Sequence, residues 1–247
     1  MFVLAKRHAA WVARLAAQWD CSDEHKRALV ARESSICALC RANLRMRAQA
    51  RAVLDVLQLR RTSELVACLS DNPQFLIFEA ATNTVFRSTT VLCVPNYIAS
   101  EYRENAPSGA IVDGILNEDL QALSFADASI DIVLTSDVLE HVADLECALD
   151  EISRVLKPGG FHVLTVPSDP ALPHTIERAR IVGGKIVHDF PEVYHGDSIR
   201  GDGILAFRDF GADTAERLSR ASMSCRAINL VMPDDPAAIV YVAQKAS

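Results

Sequence analysis

The stretch ALSFADASIDIVLTSDVLEHV, residues 122–142, carries the strongest structural signal in the chain. Its apolar run at residues 130–134 has the length of a buried strand, and polar residues follow at positions 135–137. A helix-like segment with Glu140 and His141 comes next. In a parallel sheet, residues just past the carboxyl end of a strand lie on the edge where ligands bind. The stretch therefore predicts a central strand with a functional end.

Strand-like and helix-like segments alternate on both sides of this stretch. This alternation predicts βαβ units, and hence an α/β fold of the Rossmann-like, doubly wound type with a mostly parallel seven-stranded sheet. A predicted helix at residues 145–156 ends at the sequence KPGG, since Pro and Gly after a basic turn stop a helix. The predicted strands are residues 75–78, 97–100, 110–115, 130–134, 161–166, 227–231 and 238–243, and a further helix is predicted at residues 212–221.

The first 72 residues differ in composition from the rest of the chain. They are rich in Arg, Ala and Leu, which favour helix, and the sequence Asp71-Asn72-Pro73 ends this part. We therefore predict an N-terminal helical extension at residues 1–72 and an α/β domain at residues 73–247. Within the domain, the Gly-rich segment 168–211 is an insertion that is expected to form a lid or a wall for the substrate.

Composition narrows the class of protein. The chain has 247 residues, half of them hydrophobic, which allows a sizeable core. A formal charge of −7 and an aromatic share of 6% give no indication of a nucleic-acid partner. No apolar run approaches the roughly 20 residues of a membrane span, and charged residues interrupt the start of the chain, so no signal peptide is predicted. Seven cysteines, an odd number, fit a reducing cytoplasmic location.

Acidic residues follow four of the predicted strands. Glu79, Glu101 and Asp137 each follow one, and Glu118 and Asp119 follow another. Loops are commonly acidic because they are hydrated, but acids at comparable ends of successive strands are typical of a binding edge. Carboxylates there can accept hydrogen bonds from the two hydroxyls of a ribose. The pattern predicts a ligand site at this edge that can hold a ribose.

Residues 118–167 closely resemble the class I S-adenosylmethionine-dependent methyltransferases, especially the small-molecule type with the signatures DLQALSFADASFD, DVLEHV and RVLKPGG. The segment VYHGDSIRGDGILAFRDFGADTAERLSRA resembles a YHGDP…FG segment found in a subset of them. The segment RESSICALCRANLRMRAQA is similar to that subset's amino-terminal CxxCxxNxRxRA piece. The resemblance implies transfer of a methyl group from S-adenosylmethionine to a small-molecule or sugar-like acceptor, at oxygen or nitrogen.

The resemblance also implies roles for individual residues. Glu79 would open the first cofactor loop, Glu101 would hold the ribose hydroxyls, and Asp119 with Leu120 would meet the adenine. The methionine end would be lined by the three residues after the central strand. His141 either hydrogen-bonds within the site or caps the following helix. The complete set of expected cofactor contacts is Glu79, Ala81, Glu101, Tyr102, Asp119, Leu120, Thr135, Ser136, Asp137 and His141.

One departure from the family pattern lies in the first loop. The family has Glu or Asp followed by a glycine-rich sequence, whereas this chain reads EAATNT at residues 79–84. Glycines let a backbone approach a ligand closely. The alternative to an enzyme is therefore a catalytically degenerate binding module that keeps the fold. A dinucleotide dehydrogenase is not predicted, because no G-x-G-x-x-G follows the first strand.

Two further groups of polar residues are candidates for chemistry. His195 and Asp197, in the sequence YHGD, are candidate catalytic residues, since a neutral imidazole can take a proton from an acceptor and a carboxylate can orient it. They equally fit a pair that pins a loop. Cys21, His25, Cys37 and Cys40 could form a tetrahedral zinc site, whereas the CxxC by itself could also be redox-active or incidental.

Overall fold

The computed structural model describes residues 2–17, 19, 21–80, 94–196, 203–220, 222–229 and 238–247. The part before residue 73 is mainly helical and also contains a short antiparallel strand pair, β1 (Phe2–Leu4) with β2 (Ser35–Cys37). Its four helices are α1 (Lys6–Ala16), α2 (Asp23–Ser34), α3 (Leu44–Val56) and α4 (Thr62–Asp71). No helix of the described chain is long and apolar enough to cross a membrane.

The central sheet confirms the predicted Rossmann-like class. Its strands are β3 (Ile77–Ala80), β4 (Tyr97–Glu101), β5 (Ile111–Val112), β6 (Ile115–Asn117), β7 (Ile130–Ser136), β8 (Leu156–Thr165), β15 (Met223–Ile228) and β16 (Val240–Lys245). The strand order is β15-β16-β8-β7-β3-β4-β6-β5, and the pairs joining β6, β4, β3, β7 and β8 are parallel. The winding reverses between β3 and β7, which is the topological switch point of such a sheet.

The sheet has eight strands among the described residues instead of the seven that we predicted. The predicted strand 110–115 splits into the antiparallel pair β5 and β6. Asp113 and Gly114 lie between them with φ of 52° and 77°. Positive φ at both positions is the geometry of a type I′ hairpin turn, for which Asp-Gly is a preferred sequence. The hairpin adds one short edge strand and leaves β6 as the parallel strand.

Side chains from alternate positions of the central strands build two cores, one on each face of the sheet. One core packs against α3 and α4 of the N-terminal part and the other against α5 (Leu145–Val155). The helices that support this packing begin at side-chain caps: Ser22 accepts from the His25 amide, Asn43 from the Met46 amide and Asp144 from the Cys147 amide. The first core includes Ile77, Ile132, Leu134 and Val163, and the second includes Phe78, Val133 and Leu164.

The described residues of segment 168–211 form three antiparallel strand pairs beyond the carboxyl end of β8. Ala179–Val182 (β10) pairs with Lys185–His188 (β11), and the other pairs are β9 with β14 and β12 with β13. These four strands are β9 (Ile176–Glu177), β12 (Tyr194–His195), β13 (Ile204–Leu205) and β14 (Arg208–Asp209). The following helix α6 (Thr214–Arg217) is one turn long, shorter than the predicted helix 212–221, because β15 already begins at Met223.

Candidate functional site

The acids that follow β3, β4, β6 and β7 lie on one edge of the sheet. The strand register aligns Glu79 with Ala99 of β4 and Leu134 of β7, and it aligns Glu101 with Asn117 of β6. Because these four strands are parallel neighbours, their carboxyl ends lie along one edge of the sheet. Ligands of such sheets bind at this edge, beside the switch point.

Glu79 ends the first strand of this edge as a buried carboxylate, 1% exposed. The hydroxyl of Tyr97, at the start of the neighbouring strand β4, donates a short hydrogen bond to it. Burying a carboxylate is costly unless it is hydrogen-bonded, so Tyr97 stabilises the charge at this position. Tyr97 was not among the residues predicted from sequence. Ala81, the next expected contact, lies outside the described residues, as does most of the EAATNT loop.

Two acids after β6 have different environments. Glu118 is 3% exposed and accepts hydrogen bonds from the amide and hydroxyl of Ser124. Asp119 is less buried, and its Oδ1 accepts from the Gln121 amide at 2.9 Å. Glu118 therefore stabilises the loop, whereas Asp119 lies nearer the surface.

The remaining expected contacts at this part of the edge are apolar or aromatic. Leu120 is buried in the core on the α5 side. Tyr102 follows Glu101 directly and is 48% exposed. A buried aliphatic side chain and an exposed aromatic one near the carboxylates suit the flat faces of a purine ring.

Residues of the N-terminal helices contact all three polar residues at the end of β7. The Ser136 hydroxyl donates to Oε1 of Gln49, and the same Gln49 amide donates to the carbonyls of Thr135 and Val163 at 3.0 and 3.1 Å. The Thr135 hydroxyl also pairs with Nε2 of His162 at 2.9 Å. The part before residue 73 is thus fastened to the central strand at its functional end.

Asp137 is bound by two arginines of that same part. Arg32 of α2 contacts both carboxylate oxygens, and Nε of Arg45 lies 3.3 Å from one of them. The Thr165 hydroxyl donates a further hydrogen bond at 2.9 Å. Burial opposes ionisation, but the two arginines outweigh it and lower the pKa of Asp137 to about 2. The carboxylate is therefore ionised and largely compensated within the protein.

The residues after Asp137 form a 3-10 turn, Leu139–His141, and not the α-helix start that we predicted. Asp137 has φ of 53°, which breaks the path of the chain, so Asp137 and His141 do not share a helix face. Instead, Nδ1 of His141 lies 2.8 Å from the carbonyl oxygen of Leu205 in the insertion. Burial lowers the pKa of His141 and favours its neutral form.

His195 comes to the same place from β12. Its Nδ1 lies 3.6 Å from Oε1 of Glu140, and its ring packs on Trp19 with centroids 4.3 Å apart. The rings of His195 and His141 meet edge to face at 4.8 Å. Asp197, the expected partner of His195, lies outside the described residues. Glu140 and Trp19 are site residues that our sequence interpretation did not assign.

The expected cysteine and histidine zinc site does not form. Cys21 and His25 lie at the start of α2, and Cys37 and Cys40 lie beyond its end. A helix of 12 residues is about 18 Å long, so α2 keeps the two pairs apart. Both thiols of the CxxC instead accept hydrogen bonds from Nη1 of Arg47, at 3.3 and 3.1 Å. Zinc at these four residues is not supported.

The CxxC does have distinctive chemistry of its own. Backbone N–H groups of Cys40 and Leu39, together with Arg47, lower the pKa of Cys37 to about 7, against the effect of burial. The other polar residues of the CxxCxxNxRxRA piece have structural roles. Asn43 caps α3, Arg45 contacts Asp137, and Arg47 donates hydrogen bonds to the thiols.

A cavity of about 220 Å³ lies between α2 and the segment that follows β8. Its polar lining includes His25, Arg32, Ser168 and Asp169. Burial, together with the nearby Arg32 and His195, lowers the pKa of His25 to about 4, although Asp169 opposes the shift. Since Arg32 also contacts Asp137, the cavity adjoins the end of the central strand.

Comparison with known proteins identifies the core of the chain. Residues 76–164 match the family described as methyltransferase domain. An uncharacterized methyltransferase of Mycolicibacterium vanbaalenii is 39% identical over 83 residues, which are 33% of this chain and 32% of that protein. One from Mycolicibacterium gilvum is 32% identical over 149 residues, 49% of this chain and 55% of that protein. The chain thus spans at most about half the length of these relatives.

Solved structures of similar fold include an S-adenosylmethionine dependent methyltransferase from Mesorhizobium loti. It is 16% identical, with 70% of this chain and 91% of that chain aligned at a TM-score of 0.43.

The parallel sheet and its switch point define a Rossmann-like α/β protein, a class in which ligands bind at the carboxyl ends of the strands. More narrowly, residues 76–164 match the methyltransferase domain family. This match runs through the glycine-free loop, so the alternative of a degenerate binding module is not favoured.

Proposed function

We propose that the chain transfers a methyl group from S-adenosylmethionine to a small-molecule or sugar-like acceptor, at oxygen or nitrogen. The observation that carries the proposal is the meeting of Glu79, Glu101 and Asp119 at adjoining strand ends within the segment that matches the methyltransferase domain family. The donor carries a sulfonium, an ammonium and a ribose diol. Carboxylates attract both cations, and they accept hydrogen bonds from the ammonium and the diol that are about twice as strong as neutral ones.

Each end of the cofactor has candidate partners in this proposal. Glu101 accepts from the ribose hydroxyls, and Asp119 accepts from the adenine amine beside Leu120 and Tyr102. Glu79 and Ala81 contact the middle of the cofactor. At the methionine end, the charge of Asp137 is already compensated by Arg32 and Arg45. Asp137 therefore acts indirectly, by fixing the backbone of Thr135 and Ser136.

The acceptor approaches from the side of the N-terminal helices and the insertion. Support comes from the cavity beside Arg32, whose volume of about 220 Å³ suits a small group or one end of an acceptor. The acceptor's oxygen or nitrogen attacks the methyl carbon in line, the carbon–sulfur bond breaks, and its electron pair stays on the sulfur of S-adenosylhomocysteine. Alignment of the two partners can supply about 7–11 kcal/mol of the barrier reduction.

His195 is the proposed proton acceptor on that side. A neutral imidazole can take the proton that the acceptor loses, and Trp19 fixes the ring in place. Asp197 would orient the imidazole. In this role His195 contributes to turnover and not to cofactor binding.

Calorimetry with S-adenosylhomocysteine tests the proposal. The wild-type chain should bind the product, and Glu101→Gln should bind it about 10- to 100-fold more weakly, because a hydrogen bond to a charged group is lost. Glu104→Gln, an exposed acid three residues further on, is the matched control and should bind like wild type. Absence of binding to the folded wild-type chain at millimolar ligand would refute the proposed function.

A further inference from the structure

Glu140, His141 and His195 form the one group of potential metal ligands that gathers within the described part of the chain. One ligand atom from each of the three side chains lies within 4.8 Å of the other two. Oε1 of Glu140 lies 3.7 Å from Nε2 of His141 and 3.6 Å from Nδ1 of His195. The three residues come from the turn after β7 and from the insertion, so only the folded chain brings them together.

Hydrogen bonding does not account for this arrangement. The side chain of Glu140 has no exposed surface, and neither of its oxygens has a hydrogen-bond partner among the residues that the structure describes. Its distances to the two imidazoles exceed the 2.7–3.2 Å of an N–H···O bond. They are close to the separation of about 3.4 Å between two ligands placed tetrahedrally around a metal ion at about 2.1 Å.

The environment of His141 sets its ring in the form that binds metals. A carbonyl oxygen can only accept a hydrogen bond, so Nδ1 of His141, 2.8 Å from the Leu205 carbonyl, carries the proton. The lone pair is then on Nε2, the atom that faces Glu140. Donation of the other ring N–H to a backbone carbonyl is the usual support of a metal-bound histidine.

The turn that carries Glu140 and His141 is held rigidly. Nη1 of the buried Arg208 donates to the carbonyls of Leu139 and Val142 at 2.5 and 2.6 Å. The amide of Phe207 donates to the Glu140 carbonyl at 2.7 Å. Ligands fixed in advance in this way lose little conformational freedom when a metal binds.

We propose that Glu140 Oε1, His141 Nε2 and His195 Nδ1 bind a divalent transition-metal ion. Imidazole suits zinc and iron, and carboxylate suits manganese, so a set of two imidazoles and one carboxylate can hold any of these ions. Three protein ligands leave coordination positions open for a substrate atom. The resulting site holds one oxygen and two nitrogen ligands and no thiolate.

The metal has a role in catalysis that rests on the proposed function. A hydroxyl of the acceptor that binds the metal becomes more acidic and releases its proton to water, and its oxygen then attacks the methyl carbon of the donor. With metal bound, His195 is a metal ligand and not the proton acceptor, and the metal activates the acceptor in its place.

Metal titration of the full-length chain tests the site without any substrate. After treatment with a chelator, wild-type protein should bind one equivalent of Zn²⁺ in calorimetry. Co²⁺ should give visible d–d absorption without a thiolate charge-transfer band. Glu140→Gln and His195→Ala should each weaken binding by about 100-fold or more, beyond the 10–100-fold typical of residues that only support a ligand.

Two controls make the test specific. His174→Ala removes an exposed histidine, and the double variant Cys37→Ser, Cys40→Ser removes the CxxC. Both should bind one equivalent with wild-type affinity. Thermal unfolding checks that each variant is folded. If Glu140→Gln does not fold, His195→Ala alone tests the site.

Failure of the metal site would be distinct from failure of the proposed function. The site is refuted if folded wild-type protein binds no Zn²⁺, Mn²⁺ or Fe²⁺ at millimolar concentration, or if Glu140→Gln and His195→Ala bind like wild type. A thiolate band would also refute it. Product binding is measured separately in the metal-free protein, so a chain that binds metal but not S-adenosylhomocysteine keeps the site and loses the methyltransferase assignment.

Discussion

Arg32 binds both carboxylate oxygens of Asp137 and so joins α2 to the end of the central strand across 105 positions of the sequence. The guanidinium side chain is 8% exposed, and the same arginine donates to the Val166 carbonyl at 3.2 Å. One residue therefore ties the N-terminal helices to the ends of both β7 and β8. The edge that we assign to the cofactor keeps its shape through these contacts.

Arg32→Ala should lower the free energy of unfolding by about 3–5 kcal/mol, since removing one partner of a buried ion pair is strongly destabilising and leaves Asp137 with only the more distant contact to Arg45. Chemical denaturation measures the effect. Arg180→Ala is the control, because its pair with Asp189 is more exposed and should cost about 1 kcal/mol or less. Equal losses in the two variants would contradict the structural role of Arg32.

Gln49→Ala should destabilise the chain without removing any charge. The Gln49 side chain is the partner of two backbone carbonyls and of the Ser136 hydroxyl, and it is 4% exposed. Each buried carbonyl left unpaired costs about 1–3 kcal/mol. Gln74→Ala, at an exposed position, should change stability by less than about 0.5 kcal/mol in the same denaturant titration. A Gln49 variant as stable as the Gln74 variant would show that these hydrogen bonds do not matter.

Acid should destabilise the chain through His162. Burial lowers the pKa of His162 from 6.5 to about 3, so the folded chain keeps this imidazole neutral. Below pH 6.5 the unfolded chain takes up a proton that the folded chain refuses, and stability falls as the pH drops toward 3. The slope is about 1.4 kcal/mol per pH unit for one such group.

His162→Gln removes the imidazole that takes up a proton on unfolding, and it keeps a polar side chain near Thr135. Its stability should depend less on pH than that of wild type between about pH 6 and pH 4, as followed by urea denaturation at several pH values. His174→Gln, at an exposed histidine, should keep the wild-type slope. Parallel curves for wild type and His162→Gln would contradict the buried neutral imidazole.

The two glycines at the start of β8 should respond differently to alanine. A Cβ on Gly160 would lie 2.9 Å from the carbonyl oxygens of Asp131 and Lys157, and backbone atoms cannot easily move away. Gly160→Ala should therefore cost about 1–3 kcal/mol from overpacking. At Gly159, with φ of 77° and no close backbone neighbour, only the backbone conformation is strained, at about 1–2 kcal/mol. Thermal unfolding of both variants should place Gly160→Ala as the less stable.

Trp19 should report on metal binding by its fluorescence. The chain has two tryptophans, and Trp19 packs on His195 whereas Trp11 packs on His8 with centroids 5.5 Å apart. In Trp11→Phe, the remaining Trp19 emission should change on addition of Zn²⁺ to chelator-treated protein. In Trp19→Phe, the Trp11 emission should stay constant. A silent Trp19 in protein that demonstrably binds Zn²⁺ would place the metal away from His195.

Local patterns in the sequence were sufficient to predict the sheet and most of its strands. Apolar runs of strand length, together with the KPGG helix stop, predicted β7 and α5 to within two residues, whereas β8 begins at Leu156, five residues before the predicted start at residue 161. The edge hairpin at Asp113 and Gly114 also had a local signal, the Asp-Gly pair, and our prediction passed over it. Such features depend on residues close together in the chain, so sequence alone can reveal them.

The tertiary structure decided what surrounds the functional edge. The pairing of Arg32 with Asp137, of Gln49 with the ends of β7 and β8, and of Glu140 with His195 joins residues 55 or more positions apart. The length of α2 separated the cysteines and histidine that their spacing had suggested as one site. Sequence determined the succession of strands along the chain and the acids at their ends, because periodicity and turn chemistry are local. Packing alone determined which side chains meet, because such contacts depend on how helices and hairpins lie over the sheet.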